Sequence, residues 1–304
     1  MFSTMLSLQG TLFLMMAAGF VLQRTGLMDE RVRKGCSDLL IGLFLPCTIL
    51  VSFHLDLTAR LLRSCLVVLG FSILMDVLYW LVGKAVYGRG MGDKEGVLRY
   101  GTLCSNASFM GLPICEGMFG AQGVLFGSVV LIPVYVLMFS AGLAMFTPIR
   151  GRDAVKKVAT HPCVIAVVLG FALMAVPWEL PGFVWKAVQS LSNCTTGLSM
   201  LLVGALLGAS ANVNWRDKTM WGYCALRLLG LPLMVLCCAL LLGIPPVETG
   251  TCVLLAAMPM ASTGAILAEK YGGNAEFASH GVFISTLLAM LTLPLVSLAL
   301  TYVV

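Results

Sequence analysis

Two stretches set helix breakers beside hydroxyl and amide side chains inside otherwise apolar sequence. CSNASFMGLPICEGMFG (104–120) holds Ser105, Asn106, Ser108, Gly111, Pro113 and Glu116, and MPMASTGAILAEKYGG (258–273) holds Pro259, Ser262, Thr263 and Glu269. Proline has no N–H to donate and its ring disturbs the preceding helical turn, while glycine permits unusual backbone angles. In lipid, each backbone group freed this way costs several kcal/mol unless protein or a wet cavity satisfies it. The side chains of Ser105, Asn106 and Ser108 can serve one loosened strand, and those of Ser262 and Thr263 the other. A half-helix that starts at such a break presents free N–H groups and the positive end of its dipole, which suits a carboxylate better than a cation. A pair of packing kinks is the plainer reading. Two breaks, each flanked by hydroxyl or amide residues, favour a binding site.

The elements that must position these residues are membrane helices. The chain is 59% hydrophobic and 11% charged, with a mean hydropathy of +0.97, a balance that no water-soluble core requires. About 20 apolar residues span the hydrocarbon, and ten such runs are expected: 5–23, 35–53, 61–82, 97–115, 123–146, 162–176, 185–208, 219–243, 249–268 and 277–301. The fourth and ninth contain the breaks. The excess of basic residues is a matter of sidedness, because Lys and Arg collect in cytoplasmic loops. The odd-numbered loops hold fifteen of them (from Arg24 through Arg89, Lys94, Arg150, Lys157 and Arg216 to Lys270), against Arg60, Arg63 and Lys186 in the even-numbered loops. The odd loops are therefore expected inside and both termini outside, which leaves no role for nucleic acid as a partner. The first run lacks the preceding positive charge of a cleavable signal peptide.

A shift of 152 residues sets ICEGMFGAQG (114–123) over ILAEKYGGNA (266–275) and one break over the other. Five helices per half is an odd number, so the halves cross in opposite senses. The expected fold is all-α and integral to the membrane. Residues 1–304 form one polytopic domain, with a first repeat over 1–146, an inverted second repeat over 162–304, a cytoplasmic linker at 147–161, and helices 4 and 9 broken and crossed. Charges inside the runs invite a function. Asp76 and Arg227 could pair, Arg227 could attract an anion, or both could snorkel to the interface. Glu116 and Glu269, at matching repeat positions, could carry a coupling proton or simply end their half-helices. The eleven cysteines are scattered without a C-x-x-C pair and read as small hydrophobes. His54, His161 and His280 are isolated, and the first two sit at helix ends. Gly123/Gly127 and Gly204/Gly208 have close-packing spacing. No H-E-x-x-H, paired-Asp or Ser/His set supports an enzyme, no G-x-x-x-x-G-K-[ST] supports an ATP-driven motor, and no metal or cofactor is expected.

SNASFMGLPI, GLFLPCTILVSFH (42–54), SNCTTGLSMLLVGALL (192–207), MPMASTGAILAEKYGG and STLLAMLTLPL (285–295) together resemble the auxin efflux carrier family along nearly the whole chain. That resemblance implies a secondary carrier for a small organic anion, such as the malate or malonate permeases of bacteria. Its scaffold would be like that of sodium–proton antiporters and bile-acid transporters, often a homodimer in the plasma (cytoplasmic) membrane, with a proton or sodium as co-substrate. It also implies a substrate site around Asn106, Pro113 and Pro259, with Thr48, Ser52, Asn193 and Thr195 of the second and seventh helices facing it. The chain departs from the plant members at Met260, where they carry an amide-type residue, and in its short Thr147–His161 linker. Both departures point to a minimal prokaryotic-type carrier rather than an exporter of auxin itself. The alternatives are a sodium-coupled symporter of the bile-acid type and a non-transporting membrane receptor on the same scaffold.

Overall fold

The computed structural model describes residues 2–55, 58–88, 90–146, 151–175, 181–209 and 215–301. Arg89, Arg150, the first four linker residues and the end of the sixth apolar run lie outside the described residues. Within them, all regular structure is helical apart from one isolated β-bridge. The helices are α1 (Phe2–Arg24), α2 (Glu30–Ser52), α3 (Ala59–Val86), α4 (Glu95–Leu103), α5 (Ala107–Gly142) and α6 (Gly151–Ala159). They continue with α7 (Pro162–Ala175), α8 (Gly182–Ala209), α9 (Lys218–Leu241), α10 (Pro246–Ala256), α11 (Thr263–Tyr271) and α12 (Ala275–Thr301). Asp29 caps α2 by accepting from the Val32 N–H at 2.8 Å, and Thr58 caps α3 by accepting from Leu61 at 3.1 Å.

Among the described residues, six helical runs are individually long and apolar enough to cross a bilayer; α6 and α7, bent by 58°, make a seventh if taken together. The chain is thus a multi-pass membrane protein, but not one of ten uniform rods. At 1.5 Å per residue, α4, α10 and α11, with 9, 11 and 9 residues, reach only about 14–17 Å, roughly half the hydrocarbon thickness. Each needs a continuation to traverse it.

The run forming α5 is a hairpin of two helical arms. The Ser108 and Tyr135 hydroxyls, 27 positions apart, meet at 2.8 Å, whereas a straight helix would hold them about 40 Å apart. Gly120 makes the fold-back possible, with φ 59° and ψ −145°, a conformation that a side chain resists. A Cβ on Gly123 would fall on the Cys115 carbonyl, and one on Gly127 would sit 2.7 Å from Leu112, so glycines let the arms close. Gly204 does the same between α1 and α8, where a Cβ would strike the backbone of Met16.

The prolines act differently from the sequence expectation. Leu40–Phe44, Ala107–Gly111 and Leu226–Gly230 are wider π-turns that immediately precede the Leu-Pro pairs at Pro46, Pro113 and Pro232. In each, the N–H of the residue before proline reaches back five residues, to Leu40, Ala107 and Leu226 respectively. The wider turn moves the carbonyl that the proline ring would strike and absorbs the missing donor. Pro113 therefore stays inside α5, and the helix opens upstream of it, at Cys104–Asn106.

Three odd-numbered loops meet on one side of the bundle. Lys94 pairs with Asp217 at 2.7 Å and lies over the Phe277 ring at 4.9 Å, and Asn274 donates to Asp93 at 2.6 Å.

Candidate functional site

The two breaks cross antiparallel. Cys104 is extended (φ −110°, ψ 118°), and Ser105 bridges to Met260. The Asn106 N–H donates to the Pro259 carbonyl at 2.9 Å, and the Ala261 N–H donates to that of Cys104 at 3.3 Å. Proline suits position 259 because the crossing uses only its carbonyl. Ser285 of α12 accepts from the Met260 N–H at 3.1 Å and donates its hydroxyl to the Gly281 carbonyl at 2.6 Å. The Ser105 hydroxyl donates to Leu255 at 3.3 Å. These partners supply what lipid cannot.

Four half-helix ends converge here. α4 and α10 end at the crossing, where their last carbonyls carry the negative ends of two dipoles. Arg227, 1% exposed, answers both: its Nε donates to Met258 O and its Nη1 to Thr102 O, each at 3.0 Å. Arg227 neither snorkels nor closes an ion pair with Asp76. α5 and α11 begin at the crossing, and neither Asn106 nor Ser262, at their N-cap positions, closes a side-chain cap. Their positive ends are left for another partner.

A cavity borders those two N-termini. Ser105, Asn106, Ser108, Ser262 and Thr263 line it together, so the fold brings five of the expected residues to one place. The Thr263 hydroxyl meets that of Tyr100 at 2.8 Å, tying α4 to α11. Ile41, Leu45, Phe109, Leu131 and Met138 supply apolar walls. Gly111 is buried where a Cβ would press on Leu255 at 2.6 Å, so it serves close packing of α5 on α10.

The other expected residues stand elsewhere. The Thr48 and Thr195 hydroxyls meet at 2.7 Å, Ser192 donates to Thr48 at 3.2 Å, and this buried cluster joins α2 to α8 without lining the cavity. Ser52 donates to Ile49 within its own helix at 2.6 Å, and Asn193 is exposed. Glu116 and Glu269 are also exposed, toward the far ends of their half-helices. Conversely, the cavity includes two polar ring side chains outside the expected set, Tyr135 and His161. Their rings stack at 4.2 Å, and His161 Nδ1 is buried without a partner. The available signal was faint: Tyr135 is the lone phenol in VLIPVYVLMFS (130–140), and His161 looked like a loop residue.

Crossed half-helices, uncapped N-termini and a lined cavity within a helical membrane bundle define the class: a polytopic membrane transport protein. The profile of the family described as "Membrane transport protein" matches residues 10–297, and the chain belongs to that family, the auxin efflux carrier family. It is similar to an uncharacterized transporter of Methanocaldococcus jannaschii, 22% identical over 93% of this chain and 94% of the relative. An uncharacterized transporter of Methanothermobacter thermautotrophicus is 24% identical over the same shares.

Proposed function

We propose that the chain is a secondary carrier of a small organic anion that works by alternating access. Ten crossings follow if α4 continues into the first arm of α5, the second arm crosses separately, and α10 continues into α11; α1, α2, α3, α7, α8, α9 and α12 supply the rest. Two inverted repeats then meet at the crossed breaks. The observation that carries the reading is the pair of uncapped half-helix N-termini bordering one cavity with Asn106, Ser108, Ser262 and Thr263. There the carboxylate meets the N–H groups and hydroxyls, while its carbon body lies against Phe109, Leu131 and Met138. Pro259 shapes the crossing through its carbonyl, Gly111 lets α5 pack on α10, and Pro113 stays within α5 behind its π-turn. Thr48 and Thr195 join helices rather than touch substrate. The setting is the cytoplasmic membrane, with both termini outside and the protein a homodimer.

Flux of a panel of mono- and dicarboxylates into proteoliposomes tests this. Saturable uptake is expected for at least one carboxylate and is abolished in Asn106→Ala, with the thermal unfolding profile retained. Unchanged transport by Asn106→Ala removes the site assignment. Ligand-dependent thermal stabilisation with no flux for any member of the panel makes the chain a receptor instead.

A further inference from the structure

A second, small cavity of about 30 Å³ lies on the other face of the crossing and shares Ser105 and Val134 with the first. Asp76 and Tyr79 of α3, Arg227 of α9 and Cys252 of α10 line it. Asp76 is 3% exposed, and its Oδ2 is buried without a hydrogen-bond partner. By the helical rise, Asp76 sits about 15 Å from the Val86 end of α3 and Arg227 about 14 Å from the Lys218 end of α9. Neither is an interfacial residue.

A carboxylate in such a place must be paired, bind a cation or take up a proton, since an isolated buried charge is too costly to keep. Pairing is not realised: Arg227 lines the same cavity but directs its donors at Thr102 and Met258. A metal cation is disfavoured by that fixed positive charge and by the shortage of ligands. Asp76 is the one carboxylate lining the cavity, and no metal-binding group of acidic, His or Cys side chains exists among the described residues. A proton remains. The titratable and charged groups around Asp76 are Tyr79 on its own helix and, from the elements packed against it, Cys104 in the break, Arg227 on α9 and Cys252 on α10. Ordinary phenols and thiols are neutral at pH 7, so Arg227 is the one permanent charge among them.

We propose that this cavity is a proton-binding site, in which Asp76 takes up and releases the proton and Arg227 relays its charge to the crossing. The proton arrives from and returns to water; no other bond changes. With Asp76 neutral, Arg227 is free to hold the carbonyl ends of α4 and α10. With Asp76 ionised, the carboxylate competes for the guanidinium and loosens that hold. The consequence for transport, an anion moving with a proton, rests on the carrier reading; the site itself does not.

Infrared difference spectra against pH, recorded on the purified protein in lipid vesicles, probe the proton alone. A titrating carboxyl C=O band is expected that is lost in Asp76→Asn, shifted in Asp76→Glu, and retained in Glu116→Gln, Glu269→Gln and Asn106→Ala. Persistence of the whole band in Asp76→Asn overturns the proposal. So does abolition of the band at fixed pH when sodium replaces choline, which marks a metal-cation site. In flux assays, Asp76→Asn is expected to lose the response to an imposed proton gradient. A band that behaves as expected with no flux of any carboxylate leaves the proton site standing and removes the carrier reading.

Discussion

At the scale of single residues, Arg227 shows how one side chain can hold together a geometry that two breaks would otherwise make untenable. Its planar, permanently charged fork suits two divergent carbonyls, one from α4 and one beyond α10. Arg227→Met is expected to leave both carbonyls unpaired and to destabilise the protein by on the order of 3 kcal/mol, less whatever is regained by no longer burying the charge. Arg227→Lys should recover only part, because an ammonium lacks the fork. Thermal unfolding in detergent micelles checks both, and an Arg227→Met protein as stable as the wild type would show that water satisfies those ends. Ser285 plays the smaller companion role, with its hydroxyl taking the Met260 N–H.

At the scale of elements, the hairpin within α5 determines which residues reach the cavity. Without the turn at Gly120, Tyr135 would be far from Ser108, and the apolar wall from Leu131 to Met138 would be missing. A Cβ at φ 59°, ψ −145° costs about 1–3 kcal/mol. Gly120→Ala is therefore expected to lower the unfolding temperature although nothing lies within 4 Å of the added methyl. An unchanged unfolding temperature would mean that the turn relaxes to another conformation at no cost. The π-turns tell the same story in reverse. At Pro46, Pro113 and Pro232 the chain widens by one residue and stays helical, so a membrane proline need not mark a break.

At the scale of the whole molecule, the loop contacts around Lys94, Asp217 and Asn274 gather three basic odd-numbered loops on one side. The hydrogen bond from Lys94 holds the Asp217 carboxyl below the usual carboxylate range, aided by the Thr219 N–H. A depressed carboxylate contributes stability above its unfolded pKa of about 3.9 and loses it as pH falls through the lower folded value. The pair is partly exposed, so its worth is at most about 1 kcal/mol. Wild type should exceed Asp217→Asn slightly in unfolding temperature at neutral pH, and the two should converge in acid below the ordinary carboxylate range. Curves that stay parallel through acid would assign the difference to capping of α9 alone. Orientation has its own measurement: an impermeant reagent applied to intact cells should reach tags at either terminus and not the Lys94 loop.

The sequence by itself determined what depends on local composition. Apolar length, the uneven spread of Lys and Arg, and polar residues set among breakers identified a multi-pass membrane protein, its resemblance to the auxin efflux carriers, and the two runs that could not be simple spans. Ser105, Asn106, Ser108, Ser262 and Thr263 were legible for that reason: each lies within a few residues of its own break. Only the tertiary structure decided where the helices open and what occupies the openings. Asn106 meets Pro259, Arg227 reaches Thr102 and Met258, and Tyr135 and His161 join the cavity through packing between distant segments. None of these pairings leaves a periodic or compositional trace. The same limit explains Thr48 and Thr195. Their polarity within apolar helices was visible, but whether a buried hydroxyl faces a cavity or another hydroxyl depends on the rotation of one helix against its neighbour. The close approach of glycine backbones, such as Gly204 at Met16, helps to set that packing.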